Sequence, residues 1–86
     1  MTTYTVSNEE FTVTYASASY SGYGHRNITV RVLVRGREVA FSETTNFMRR
    51  FWEADDLEGQ EKYEALYELV SDSINEQLAE WLYWNE

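Results

Sequence analysis

The side chains with chemical reach in this 86-residue chain are carboxylates and arginines, and they are kept apart. From Glu53 onward, eleven Asp and Glu stand against Lys62 alone, a net −10; before it, six arginines outnumber four acids, a net +2. Glu61, Glu64, Glu68, Asp72, Glu76 and Glu80 recur at steps of three or four residues, which lines them up along one side of a helix. Acids four residues apart rise about 6 Å each and drift about 40° around the axis. Duplex DNA offers one phosphate per ~1.7 Å of axis, counting both strands. Such a ladder can stand in for a few phosphates in a basic groove, but not for a whole duplex. Glu53, Asp55, Asp56 and Glu58 would extend it into the preceding linker. A helix face that is merely solvated mixes Glu with Lys for i,i+4 pairs, and this one has a single lysine. Solubility calls for charge, but not for segregation of its sign. The arrangement points to a basic partner surface and speaks against nucleic-acid binding by the C-terminal half.

Other chemistries find little support. His25 is the one histidine, in a glycine-bordered loop, and there is no cysteine. No serine or threonine sits in a nucleophile elbow with a histidine to serve it. Asp55 and Asp56 are adjacent in a linker, where nothing separates their acidities for acid–base work. Asp55-Asp56-x-Glu58 lacks the alternating ligands, central glycine and terminal bidentate Glu of a calcium loop. Gly22-Tyr23-Gly24 has no helix start behind it and cradles no phosphate. No catalytic residue, cofactor or metal is therefore expected. Arg26, Arg31, Arg35 and Arg37, beside Tyr20 and Tyr23, give an alternative: a basic, aromatic hairpin of the type that holds single strands. The sheet motif of RNA-binding domains is missing.

These side chains need a scaffold, and its pattern is plain. Thr2–Val6 alternates as a first strand, and Ser7-Asn8-Glu9-Glu10 turns the chain. Phe11–Tyr20 puts Phe11, Val13 and Tyr15 on one face and Thr12, Thr14 and Ala16 on the other. Asn27–Arg35 carries an unbroken β-branched face of Ile28, Val30, Val32 and Val34, opposed by Thr29, Arg31, Leu33 and Arg35. A hairpin at Arg35-Gly36-Arg37 returns through Glu38–Ser42. Thr44-Thr45-Asn46 supplies helix N-caps, and Phe47, Met48, Phe51 and Trp52 form an apolar stripe on a short helix. Tyr63, Leu66, Tyr67, Val70, Ile74, Leu78, Trp81 and Leu82 then repeat at helical spacing through to Trp84. The expected fold is α+β, one domain over 1–86. It comprises a three- or four-stranded antiparallel meander (2–43), then a short helix (45–54) and a long amphipathic helix (60–84) on one sheet face. One domain of this length buries roughly 60–65% of its unfolded surface. Seven Tyr, four Phe and three Trp supply large apolar areas toward it.

Location follows from what is missing. A small secreted domain usually carries disulfides, so a cysteine-free chain fits a reducing cytoplasm. No apolar run approaches the ~18 residues of a membrane span. MTTYTVSNEE lacks a basic region followed by an apolar core. The acceptor triplet Asn27-Ile28-Thr29 has meaning only in a secreted chain.

Taken as a whole, the chain resembles the small, acidic, single-domain inhibitors encoded by bacteriophages, the anti-CRISPR proteins in particular. The resemblance is one of kind: 86 cysteine-free residues, a meander (FTVTYASASY, NITVRVLVRG, REVAFSE), then NFMRRFWEA and EKYEALYELVSDSINEQLAEWLYW, with strong acidity. It implies an inhibitor that occupies a nucleic-acid-binding surface of a CRISPR effector inside a bacterial host cell. The residues expected to meet that partner come from the charge pattern instead: Asp55, Asp56, Glu61, Glu64, Glu68, Asp72, Glu76 and Glu80, with Tyr83 and Trp84 as anchors. A second expectation is self-association, as a homodimer joining acidic helix to arginine-rich surface.

Overall fold

The computed structural model describes residues 1–22, 24–46 and 49–85, with the side chains of Ser21 and Arg49 left out of the description. Four antiparallel strands form one sheet in the order β1-β2-β3-β4: β1 (Thr3–Val6), β2 (Glu9–Gly22), β3 (His25–Val34) and β4 (Arg37–Asn46). Three helices follow: α1 (Arg49–Asp55), α2 (Gly59–Leu69) and α3 (Ser71–Trp84). The fold is α+β, with the helices on one sheet face. Among the described residues, no helix is long and apolar enough to cross a membrane.

Two tight turns set the register. Val6 pairs with Glu9 across Ser7-Asn8, and Val34 with Arg37 across Arg35-Gly36. All four turn residues have positive φ, from 51° to 74°. That is the two-residue hairpin geometry whose twist matches the strands it joins. Asn and Gly accept it readily; Arg35 does so while its guanidinium is held by Glu9 at 2.7 Å and by the Asn85 carbonyl at 3.2 Å. The first turn is therefore shorter than the four residues expected, and Glu9 and Glu10 belong to β2.

The expected alternation of β2 breaks at Thr14. Val13 pairs with Val32 and Tyr15 with Arg31, so Thr14 is an extra residue with no opposite number. A bulge of this type shifts every later side chain to the other face. Phe11 and Val13 point inward, then Ala16 does; all three are buried, whereas Tyr15 is exposed. The Thr14 hydroxyl helps stabilise the irregularity by bonding the Arg31 carbonyl (3.3 Å) and Glu38 (3.2 Å).

Farther along, β4 continues to Asn46, pairing Thr44 with Asn27 and Thr45 with Arg26. These threonines were expected to cap a helix; β-branched side chains fit the sheet better, and β3 offered them a partner. Helix α1 accordingly starts later and ends at Asp55, and the expected stripe is only half right. Phe51 and Ala54, three residues apart, are buried, while Trp52 is 55% exposed. Phe47 and Met48 lie outside the described residues.

The expected continuous helix over 60–84 is divided at Val70, whose φ of −126° and ψ of 21° are not helical. The Val70 N–H turns back to the Tyr67 carbonyl, and its own carbonyl accepts from Ile74, so one residue closes α2 and opens α3. The sequence reason is Ser71-Asp72-Ser73, whose side chains compete with helical hydrogen bonding yet suit a first turn. The packing reason is that α2 lies over β2 and β3, whereas α3 contacts β4 and β1. One straight rod does not follow a twisted sheet in both directions.

The core lies between the layers. Ile28, Val30, Val32 and Val34 from β3 meet Leu66, Tyr67, Val70, Ile74, Leu78 and Leu82. Ile74→Ala should therefore cost roughly 2–5 kcal/mol. Leu33→Thr, on the outward face, should stay within about 0.5 kcal/mol. Urea unfolding midpoints of the two variants test this division between core and surface.

Candidate protein-binding surface

On α3, the buried residues Ile74, Leu78 and Leu82 are each two positions after Asp72, Glu76 and Glu80. Two residues are about 200° of helix, so the acids occupy the side opposite the core. All three are exposed, as are Glu61 and Glu68 on α2 and Asp56 in the α1–α2 linker. From Asp72 to Glu80 the rise is about 12 Å. None of these six forms an ion pair among the described residues, nor do any three acidic or histidine side chains there converge as metal ligands would. They form a spread of negative charge.

The break at Val70 divides the acidic ladder between two helix axes. Glu61, Glu64 and Glu68 ride on α2, and Asp72, Glu76 and Glu80 on α3. Two of the expected residues are engaged inside the fold. Glu64 accepts from the Thr2 backbone N–H and hydroxyl, each at 2.9 Å, and from Gln60 at 2.9 Å. Asp55 pairs with Lys62 at 3.4 Å. Glu64 thus clips the start of the chain to α2, and Asp55 ties the end of α1 to the same helix.

The arginines expected on the hairpin are engaged as well. Arg31 lies 3.9 Å from Glu38 and 5.4 Å from the Tyr15 ring centroid. Arg35 holds Glu9, Arg37 sits over Trp81, and Arg26 packs on Tyr20 and Phe51. Their cationic faces are directed at this protein's own aromatics and acids.

An apolar hollow borders the acids at the end of α3. Phe41, Gln77, Glu80, Trp81, Trp84 and Asn85 line about 310 Å³. Tyr83 and Trp84 beside it are 67% and 74% exposed, their rings meeting edge-on at 5.2 Å. The sequence signalled these two aromatics as anchors. The hollow itself was not legible, because Phe41 and Trp81 come from different layers.

The sequence also left unnoticed that the helices hold the sheet margins with amides. Gln60 Nε2 donates to the Val13 carbonyl at 2.7 Å, just past the last β1–β2 pair, and Gln77 Nε2 to the Ser42 carbonyl at 3.0 Å on β4. Ser73 also donates to Glu43, fastening α3 to β4. Comparison with known protein families, curated proteins and solved structures gives no match.

Protonation follows these contacts. Glu64 is lowered from the usual carboxylate range, first by the Gln60 amide and then by the Thr2 backbone. Glu43 is lowered by the Ser73 hydroxyl, then by the Thr44 N–H. A carboxylate with a depressed pKa contributes stability above its unfolded pKa and loses it as pH falls through the folded one. Glu64→Gln should destabilise by roughly 1 kcal/mol at neutral pH and flatten the loss of stability below the ordinary Glu value of 4.5, as read by melts at stepped pH.

At the other extreme, Tyr4 is pushed from 10.0 up to about 12, chiefly by burial and then by Glu64 and Glu68. It lies 4.7 Å from the Tyr67 ring, and its hydroxyl is buried with no hydrogen-bond partner among the described residues. The raised value favours the neutral phenol, so the associated stability is whole below pH 10.0 and lost toward about 12. Burial also raises Tyr67, whose hydroxyl donates to Asn75 at 2.6 Å. Tyr4→Phe should therefore blunt, not abolish, the alkaline loss, and should raise neutral stability by up to about 1 kcal/mol.

Proposed function

We propose that this chain is a non-enzymatic protein-binding inhibitor whose acidic helix side covers a basic nucleic-acid-binding surface, as a short mimic of DNA phosphates. The observation that carries this reading is the set Asp56, Glu61, Glu68, Asp72, Glu76 and Glu80, exposed and without ion pairs among the described residues. A net charge of −8 steers such a face toward a cationic groove and speeds association more than it deepens affinity. Depth of affinity comes from Tyr83 and Trp84 beside the apolar hollow, since aromatics buried at an interface are its usual energetic centres. Asp55 and Glu64 lend charge to the field while their carboxylates serve the fold. By the likeness to anti-CRISPR proteins, the partner is a CRISPR–Cas effector in the bacterial cytoplasm, and the step blocked is its engagement of target DNA. An arginine-hairpin nucleic-acid binder is disfavoured because Arg26, Arg31, Arg35 and Arg37 already face internal partners.

A competition assay tests the reading. The protein is titrated into guide-loaded CRISPR effectors of several types, each bound to labelled target DNA. In at least one, DNA should be displaced, less effectively as salt rises. The triple variant Glu68→Lys, Asp72→Lys and Glu76→Lys should lose roughly tenfold or more in potency while melting as a folded protein. Equal potency of variant and parent, with no salt dependence, would overturn phosphate mimicry; no displacement from any effector would overturn the choice of partner.

A further inference from the structure

Strand β1 pairs with β2 only as far as Thr12, and β2 runs on to Gly22. Beyond the Val13 carbonyl, which Gln60 occupies, no hydrogen bond from the described residues reaches the outer backbone of Tyr15–Tyr20. This stretch is an open sheet edge. Natural edges are blunted by Lys, Pro, inward charges or covering elements. The opposite edge, β4, has several of these: Arg37, Glu38, Glu43, and the contacts from Ser73 and Gln77 of α3. Past the bulge at Thr14, β2 itself carries no Lys, Pro or charged side chain, and Lys62 and the α1–α2 linker flank it without a described hydrogen bond to its outer backbone. From Phe11 to Gly24 the chain carries no charged side chain. In a protein of net charge −8, this is a stretch that two copies can pair without opposing charged side chains.

The edge is also complementary to itself. After the bulge, Ala16, Ala18 and Tyr20 share the helix side of the sheet, opposite Val30, Ile28 and Arg26. Tyr20 is a knob, 70% exposed. Ala16 and Ala18 are small, and beside them lies a cleft of about 380 Å³ walled by Leu57, Gly59 and Tyr63 and rimmed by the charged Asp55, Glu58 and Lys62. Knob and cleft are separated along one strand by the span from Ala16 to Tyr20.

We propose that two copies of this chain pair antiparallel through the open β2 edge, about a two-fold axis at Ala18. Ala18 then faces Ala18 of the second copy, and Tyr20 falls opposite Ala16, its ring entering the other copy's cleft. Directly opposed residues keep their side chains on the same face, so the axis is perpendicular to the sheet. An eight-stranded sheet results, both helix layers lie on one side of it, and each dimer presents two acidic faces side by side.

Sedimentation equilibrium across a concentration series should show a monomer–dimer equilibrium that high salt leaves intact or strengthens, since the paired stretches carry no charge and salt screens the repulsion between two chains of net charge −8. Tyr20→Ala, at an exposed position, should weaken it roughly tenfold with an unchanged melting temperature. In this cysteine-free chain, Ala18→Cys should cross-link rapidly under mild oxidation, because opposed antiparallel residues lie within disulfide reach. Glu80→Cys, on the far side of α3, should not. A monomer at every concentration, dissociation by salt, or equal cross-linking of the two cysteine variants would each overturn the proposal. None of these outcomes bears on effector binding, which the competition assay reads separately.

Discussion

The stripe Ile28, Val30, Val32 and Val34 on β3 is the constraint the rest of the chain is arranged around, each side chain being 0–1% exposed. A β-branched face of that length must be covered, and a chain this short has few residues to do it with. Strand β2 contributes by taking an extra residue at Thr14, which returns Ala16 to the inner face after Val13. The helices contribute by dividing at Val70, so that α2 covers the middle of the sheet and α3 the margin at β4. Both departures from regularity serve the same stripe, and both carry the surface features with them: one turns Tyr15 outward, the other distributes the acids over two axes.

The sequence revealed the architecture because its strongest signals were local. Alternation in Asn27–Arg35 and three-to-four spacing in 61–84 each need only their own segment to be read. What escaped it was set by contacts between segments. Thr44 and Thr45 carry equal local claims as helix caps and as strand residues; pairing with Asn27 and Arg26 decides between them. The bulge is invisible in a run where Thr, Tyr, Ala and Ser follow one another, because only the partner strand shows that two residues face one. The apolar spacing Tyr67, Val70, Ile74 passes through the helix break without a gap, and neither proline nor glycine marks it. Among the acids, position on the helix was legible, but internal engagement was not: Glu64 is met by Thr2, 62 residues away in sequence.

Charge is sorted here by what it touches. Arginines on the sheet find rings and carboxylates of their own chain, whereas most of the acids on the outer side of α2 and α3 are exposed and form no ion pair among the described residues. Exposed ion pairs contribute little to stability, so the fold gains little from the first group and needs nothing from the second. Unpaired like charges along a helix repel, so this side carries a small cost to the fold.

Gln60 and Gln77 join the helix layer to the sheet, each spending a neutral amide on a backbone carbonyl. Amides do not titrate, and salt screens them weakly. These two bolts are therefore blind to the ionic conditions that govern the acidic side, unlike the Ser73–Glu43 and Thr2–Glu64 contacts beside them. Glu68, Asp72, Glu76 and Glu80 take no part in that fastening. The solvent side of α2 and α3 is thus free to vary: its charge pattern can be rewritten residue by residue, by evolution or by design, with the scaffold beneath it holding its shape.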